Sequence, residues 1–131
     1  MTVVDGDTIE IQLSGKRETV RLIGIDTPET VHPSKPVECF GPEASAYLKS
    51  LLPEGTEINV VRDVEARDYY GRLLLYVYRS DDNMFVNRHL VETGHATPLP
   101  FAPNTHFSPE FARAAERAHS DKVGLWGACS R

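Results

Sequence analysis

Residues 8–25 read TIEIQLSGKRETVRLIGI, and this segment decides which fold the chain can adopt. β-Branched or apolar residues alternate with polar ones over 8–13 and again over 18–25, on either side of a Ser14-Gly15-Lys16 turn. Alternation with a period of two is typical of strands that bury one face, and a short turn joins such strands as a hairpin. The segment therefore predicts an antiparallel pair of strands.

The same reasoning extends outwards along the chain. Alternation predicts three further strands, over residues 2–4, 56–62 and 73–78. Helical spacing with Pro, Ser and Gly at the ends predicts helices over residues 41–52, 87–93 and 108–124. Five short strands with a helix after the third favour an α+β fold, a five-stranded OB-fold β-barrel with three α-helices outside it. An open α+β sheet is the alternative, and the absence of alternating βα units argues against a doubly wound parallel sheet.

Length and charge restrict how the chain can bind a partner. Its 131 residues predict a single domain over 1–131 that is large enough for its own core. With 14 Lys and Arg against 19 Asp and Glu, the net charge of −5 has the wrong sign for binding nucleic acid by bulk electrostatics. Any polyanion must be held by local arginines and a bound cation.

The beginning of the chain carries no targeting signal. Residues 1–5 have neither a basic region nor an apolar run, so they are not a signal peptide, and no stretch reaches transmembrane length. Because the first strand starts almost at once, we expect a native segment further upstream, where an export signal can lie.

The two cysteines, Cys39 and Cys129, leave two interpretations open. They are either free thiols or a disulfide, which would close a loop of about ninety residues and stabilise the fold by up to roughly 4.7 kcal/mol. The bridge is favoured because the small polar tail after Trp126 has little else to keep it docked. A disulfide would indicate an oxidising, extracytoplasmic location: secreted, periplasmic or surface-anchored.

Three short motifs carry the chemistry of the chain. They are Asp5-Gly6-Asp7-Thr8, Arg21 followed by Asp26-Thr27-Pro28-Glu29-Thr30, and Asp68-Tyr69-Tyr70-Gly71-Arg72. Each motif alone is compatible with an ordinary tight or capped turn. Together they supply hard oxygen ligands of the kind that Ca²⁺ or Mg²⁺ prefers, and guanidiniums that can hold the oxyanion of a reacting phosphodiester.

The order and spacing of these motifs, with Gly41-Pro42-Glu43-Ala44-Ser45 between them, resemble the staphylococcal (micrococcal) nuclease family, the thermonucleases. The likeness runs from Asp5 to about Trp126. It implies the barrel with three helices, Ca²⁺ as cofactor, and endonuclease and exonuclease action on DNA and RNA that leaves 3′-phosphates. We also expect a monomer with no membrane span.

The resemblance assigns roles position by position. Asp7 and Asp26 match the carboxylate ligands of one Ca²⁺, with the backbone carbonyl of Thr27 as a third ligand. Glu29 occupies the position of the general base, as a true base or only as a residue that orients water. The remaining catalytic positions are the two phosphate-binding arginines, Arg21 and Arg72.

The implied substrate pocket departs from the family pattern. It comprises Asp68, Tyr70, Lys35, Leu99 and Phe101. Leu99 and Phe101 stand where the family has two tyrosines, Tyr69 replaces a lysine, and the lysine-rich loop after Thr30 is thinned. Fewer cations predict a weaker hold on the polyanion.

Two questions remain at this point. The same fold also occurs as a non-catalytic nucleic-acid- or protein-binding module, but the five key side chains Asp7, Arg21, Asp26, Glu29 and Arg72 are all present and favour an enzyme.

In addition, strict alternation would put Arg21 and Asp26 on opposite faces of one strand. They can share a site only if the strand twists, bulges or ends near Gly24.

Overall fold

Strands and one helix occupy the described chain up to Arg79, and three helices with one short strand follow. The structure is a computed structural model that describes residues 1–28 and 38–129. The strands are β1 (Thr2–Asp5), β2 (Thr8–Leu13), β3 (Lys16–Leu22), β4 (Ile25–Asp26), β5 (Ile58–Arg67), β6 (Leu73–Arg79) and β7 (Thr97–Pro98). The helices are α1 (Gly41–Leu51), α2 (Val86–Glu92), α3 (Ser108–Asp121) and α4 (Leu125–Ala128).

The main sheet contains the five predicted strands in the order β1-β2-β3-β6-β5. The hairpin of residues 8–25 is present, with β2 paired antiparallel to β3 from Leu13↔Lys16 back to Thr8↔Arg21. Strands β3 and β6 run parallel, because the chain crosses over through α1 and β5 between them. The mixed α+β class is therefore confirmed.

The structure differs from the expected barrel in two respects. Within residues 1–28 and 38–129 the sheet is open, since no pairing joins β1 to β5, and β4 and β7 form a separate two-stranded sheet. The described helices also number four instead of the three expected. Helix α3 ends at Asp121, and Lys122, which caps it, has the left-handed conformation (φ 56°). The chain then turns at Gly124 into the short α4. Such a reversal depends on local backbone conformation, which periodicity does not reveal.

The core lies between the main sheet and helices α1, α2 and α3. Alternate residues of the hairpin point into it, as the pattern of residues 8–25 requires. Its fully buried members include Ile9, Val20, Leu22, Val77, Leu48, Leu90 and Phe111. None of the helices in the described part of the chain is both long enough and apolar enough to cross a membrane.

Candidate active site

The first two motifs meet directly, although about twenty residues separate them in sequence. Asp7 lies in the turn between β1 and β2, and the backbone N–H of Thr27 donates to its Oδ2 over 3.2 Å. The hydroxyl of Thr8 donates to Oδ1 over 3.0 Å. Gly6 makes this approach possible, because a Cβ there would lie 2.7 Å from Oγ1 of Thr27. The contact fixes the Asp7 carboxylate next to the end of β4.

Arg21 lies between the two aspartates that were predicted to bind metal. Its Nη2 is 3.4 Å from Oδ2 of Asp7 and 3.7 Å from Oδ1 of Asp26. Nη1 donates to the carbonyl of Leu22 over 2.6 Å. The side chain of Arg21 is only 16% exposed, so its charge is compensated by these two carboxylates in a partly desolvated position.

A break in the strand brings Arg21 and Asp26 together. Strand β3 ends at Leu22 and β4 begins at Ile25, with Gly24 between them at φ 83°. A Cβ on Gly24 would lie 2.5 Å from Cε2 of Phe111, so both the backbone conformation and the packing require glycine here. Because the strand stops, the alternation that would separate the two side chains no longer applies.

The pKa of the Asp26 carboxyl lies above its ordinary value. Burial raises the pKa of the Asp26 carboxyl, the nearby Asp7 carboxylate raises it further, and Arg21 only partly opposes the two effects. Two carboxylates with one guanidinium between them form a site that is suited to a cation with oxygen ligands. Among the residues that the structure describes, no group of three His, Cys, Asp or Glu side chains is arranged to hold a metal. The anionic groups that the described residues offer here are the carboxylates of Asp7 and Asp26.

The third motif forms a closed turn around Asp68. Its carboxylate accepts from Nε of Arg72 over 2.7 Å, and from the backbone N–H groups of Tyr70 and Arg72 over 2.9 Å each. Burial alone would raise the pKa of Asp68, but these bonds and the Arg72 charge lower it below its ordinary value. Asp68 thus holds Arg72 through Nε, and Nη1 and Nη2 donate no hydrogen bond to any residue that is described.

A cleft of about 600 Å³ joins the two arginines. Its lining includes Arg21, Arg72, Tyr70, Leu99 and Phe101, which were all predicted to be site residues. Phe101 is 68% exposed and Tyr70 80% exposed, and the Arg72 guanidinium lies 5.8 Å from the centre of the Tyr70 ring. The cleft therefore offers aromatic faces beside positive charge.

Three residues that were not predicted as site residues hold the site in place. Asn87 is fully buried and donates from Nδ2 to the carbonyl of Ile23 over 2.9 Å, which anchors the turn between β3 and β4. Asn104 exchanges two bonds with the backbone of Glu65 and so fixes the chain that carries Phe101.

The third of these residues is Arg67, which pairs with both carboxylate oxygens of Glu18 and donates to the carbonyl of Gly71. Of these three residues, only Asn104 could have been found from the sequence. It lies in the stretch Pro103-Asn104-Thr105-His106, which also resembles the thermonucleases.

Two predicted residues, Glu29 and Lys35, lie outside the described residues. Cys39 and Cys129 form a disulfide with a Cα–Cα distance of 6.0 Å. Both cysteines line a second cavity together with Asp26 and Thr27. The bridge therefore lies close to the end of β4.

Comparison with known proteins identifies the family. The staphylococcal nuclease homologue family matches the chain over residues 19–128. Thermonuclease from Staphylococcus intermedius is 40% identical over 124 residues, which cover 95% of this chain and 72% of that protein, and thermonuclease from Staphylococcus hyicus is 37% identical with the same coverage. Endonuclease YncB from Bacillus subtilis (strain 168) is 38% identical over 124 residues, and the chain spans 58% of its length. The predicted family is confirmed, and the predicted enzyme class agrees with it: the chain belongs to the staphylococcal nuclease homologue family.

Proposed function

We propose that the chain is a Ca²⁺-dependent phosphodiesterase that hydrolyses DNA and RNA, as an endonuclease and exonuclease that leaves 3′-phosphates. One observation carries the proposal. Arg21 contacts both Asp7 and Asp26 at one end of a cleft that also contains Arg72. The carboxylates that we assign to a cation thus contact one of the two arginines that we assign to the phosphate, and the relatives named thermonuclease and endonuclease support the reaction class.

The cation is assigned to Asp7 and Asp26, with the backbone carbonyl of Thr27 as a third ligand. The raised pKa of Asp26 supports this assignment, because burial and the neighbouring Asp7 carboxylate both disfavour the charged carboxylate and a bound cation would offset them. A bound divalent ion would supply positive charge to a phosphodiester that the two carboxylates would otherwise repel. Ca²⁺ suits a set made only of oxygen ligands.

The two arginines are assigned to the phosphate. A guanidinium can donate two parallel hydrogen bonds to phosphate oxygens, and it gains strength in a site that excludes water. Asp68 accepts from Nε of Arg72, which leaves the outer edge of the guanidinium for a ligand. Glu29 is assigned to the attacking water, as a base or as a residue that orients it.

The remaining pocket residues are assigned to the nucleoside. Tyr70 and Phe101 present exposed rings for a base, and Leu99 adds an apolar contact beside them. Lys35 is assigned to the phosphate backbone and Asp68 to the support of Arg72. A single nuclease domain over residues 1–131, a monomeric state and an extracytoplasmic location complete the proposal.

Release of acid-soluble nucleotides tests this function. The protein should release them from DNA and from RNA with Ca²⁺, and a chelator should abolish the release. The products should carry 3′-phosphates, so a phosphatase should generate free 3′-hydroxyls from them. If neither single-stranded nor double-stranded substrate is cut at high protein concentration with Ca²⁺, the enzyme proposal fails. Binding without cleavage would instead favour a non-catalytic nucleic-acid-binding module.

A further inference from the structure

Tyr69, at the tip of the turn between β5 and β6, lies almost wholly in solvent. It is 96% exposed, although it lines the same cleft as Arg72 and Phe101. Its ring meets the ring of Tyr70 edge to face, with 5.5 Å between centroids. Large rings that are exposed together beside a charged cleft form a contact surface for a ligand rather than a part of the core.

The turn fixes the backbone on both sides of Tyr69. The N–H of Asp68 donates to the carbonyl of Arg72, and the N–H of Gly71 donates to the carbonyl of Asp68, each over 3.0 Å. The Asp68 carboxylate also accepts from the N–H of Tyr70. Tyr69 is thus held at a defined place relative to Arg72, and a ligand that contacts both need not order this backbone.

We propose that Tyr69 is a specificity-determining residue that stacks on an unpaired base, next to the nucleotide whose phosphate Arg72 holds. The inference rests on the proposed function and assigns to Tyr69 the contact with a base of a single strand. Every base has a face that can stack on an aromatic ring, so the contact tolerates any sequence. In a duplex each base is already stacked and paired, and its face becomes available only after extrusion at a cost of a few kcal/mol.

Charge complementarity supports this occupant. The net charge of −5 offers little general attraction to a polyanion, so contacts to bases must supply affinity that additional lysines would otherwise give. Tyr69, Tyr70 and Phe101 are three exposed rings that line the same cleft as Arg72, and the Arg72 guanidinium lies 5.8 Å from the centre of the Tyr70 ring. A positive group flanked by aromatic faces is the arrangement by which proteins bind single strands.

Binding of oligonucleotides tests the role of Tyr69. The probes are a labelled single-stranded hexanucleotide and a hairpin duplex, both with cleavage-resistant phosphorothioate links, measured by fluorescence anisotropy in Ca²⁺. Tyr69→Ala should weaken binding of the single strand about fivefold or more. Tyr69→Phe, which keeps the ring, should bind like the unchanged protein. Leu13→Ala, at the β2–β3 hairpin and 39% exposed, is the matched surface control and should have no effect.

The outcomes separate this inference from the proposed function. Weaker binding of the single strand by Tyr69→Ala, with binding of the duplex unchanged, supports stacking by Tyr69. Unchanged binding of the single strand, or an equal loss for both probes, overturns it and leaves the nuclease proposal standing. If the unchanged protein neither binds nor cleaves nucleic acid, the proposed function itself fails.

Discussion

Within residues 1–28 and 38–129, one carboxylate, that of Asp68, holds the side chain of Arg72. Asp68 accepts from Nε of Arg72 and from two backbone N–H groups of the same turn. A guanidinium held in this way presents a fixed pair of donors, whereas an ammonium would be a point charge without the fork. The precision of the proposed phosphate contact therefore depends on the Asp68–Arg72 pair and not on Arg72 alone.

Removal of the charge on Asp68 should lower activity without unfolding the protein. We expect Asp68→Asn to reduce kcat/KM about 10- to 100-fold, because small displacements of a catalytic group carry costs of this order. Steady-state cleavage of a single-stranded substrate is the measurement. Asp82→Asn is the matched control, since Asp82 pairs with Arg79 in an exposed turn away from the cleft. Equal losses in the two variants would contradict a specific role for Asp68.

The elements around the site are joined by the turn at Gly24. This turn ends β3, starts β4 and packs against Phe111 of α3, while Asn87 of α2 holds the carbonyl of Ile23. Two helices thus fix the place where Arg21 and Asp26 converge. The geometry of the site is coupled to helix packing at this point.

Gly24→Ala should destabilise the fold through both backbone and packing. We expect a loss of about 2–4 kcal/mol, because the left-handed conformation is unfavourable for alanine and the added methyl collides with Phe111. Gly55→Ala is the control: Gly55 also has positive φ (89°), but a Cβ there would meet no atom within 4 Å. That variant should lose only about 1–2 kcal/mol. Urea unfolding measures both variants, and equal losses would show that the contact with Phe111 contributes nothing.

Tyr47 of α1 contacts two partly buried histidines, His89 in α2 and His95 just after the end of α2. The hydroxyl of Tyr47 lies 2.7 Å from Nε2 of His89, and the Tyr47 ring stacks on His95 with 4.0 Å between centroids. Burial lowers the pKa of both histidines from 6.5; for His95 the charge of His89 lowers it further. For His89 the carboxylates of Glu92 and Asp82 oppose this effect and Arg79 adds to it. Both rings are therefore neutral in the folded protein near pH 7.

The stability of the fold should fall as the pH drops below about 6.5. The pKa values of His89 and His95 are lower in the folded protein than in the unfolded chain, so the unfolded chain binds protons more readily as the pH drops below 6.5. The stability that the two neutral histidines contribute is therefore complete above pH 6.5 and is lost as the pH falls towards their folded pKa values. Unfolding free energies from urea titrations between pH 5 and 8 measure the effect. His95→Phe keeps a ring against Tyr47 and should reduce the slope. An identical slope in that variant would assign the pH dependence to other groups.

On the scale of the whole molecule, the disulfide ties the end of the chain to the start of α1. It links residues 90 positions apart, Cys39 and Cys129, and both line the cavity that contains Asp26 and Thr27. A bridge over so long a loop restricts the unfolded chain strongly. Stability and the surroundings of the proposed cation site are therefore linked through this bond.

Loss of the disulfide should lower the free energy of unfolding by about 2–5 kcal/mol. A double replacement of Cys39 and Cys129 by serine, measured by urea unfolding, tests this magnitude. A dithiol reductant should destabilise the unchanged protein to a similar extent and leave the double variant unaffected. If the reductant destabilises both proteins equally, its effect does not come from this bond.

The sequence alone was sufficient to predict the strands of the main sheet, three of the described helices, the mixed α+β class and the family. Alternation at residues 8–25 and helical spacing after Gly41 and Ser108 are local patterns, and they predicted the five strands of the main sheet and three of the four described helices. The motifs around Asp7, Asp26 and Arg72 predicted the residues of a site, because their residue types, order and spacing carry the chemistry.

The tertiary structure decided what these local patterns cannot contain. Periodicity is a property of neighbouring residues, whereas the meeting of Asp7 with Thr27 and the anchoring of Ile23 by Asn87 join residues 20 and 64 positions apart. The short α4, the two-stranded β4–β7 sheet and the open edges of the described main sheet depend on backbone turns and long-range packing. The residue types of the site were thus set by the sequence, while their convergence was set by the break at Gly24, because only there can one strand turn Arg21 and Asp26 to the same side.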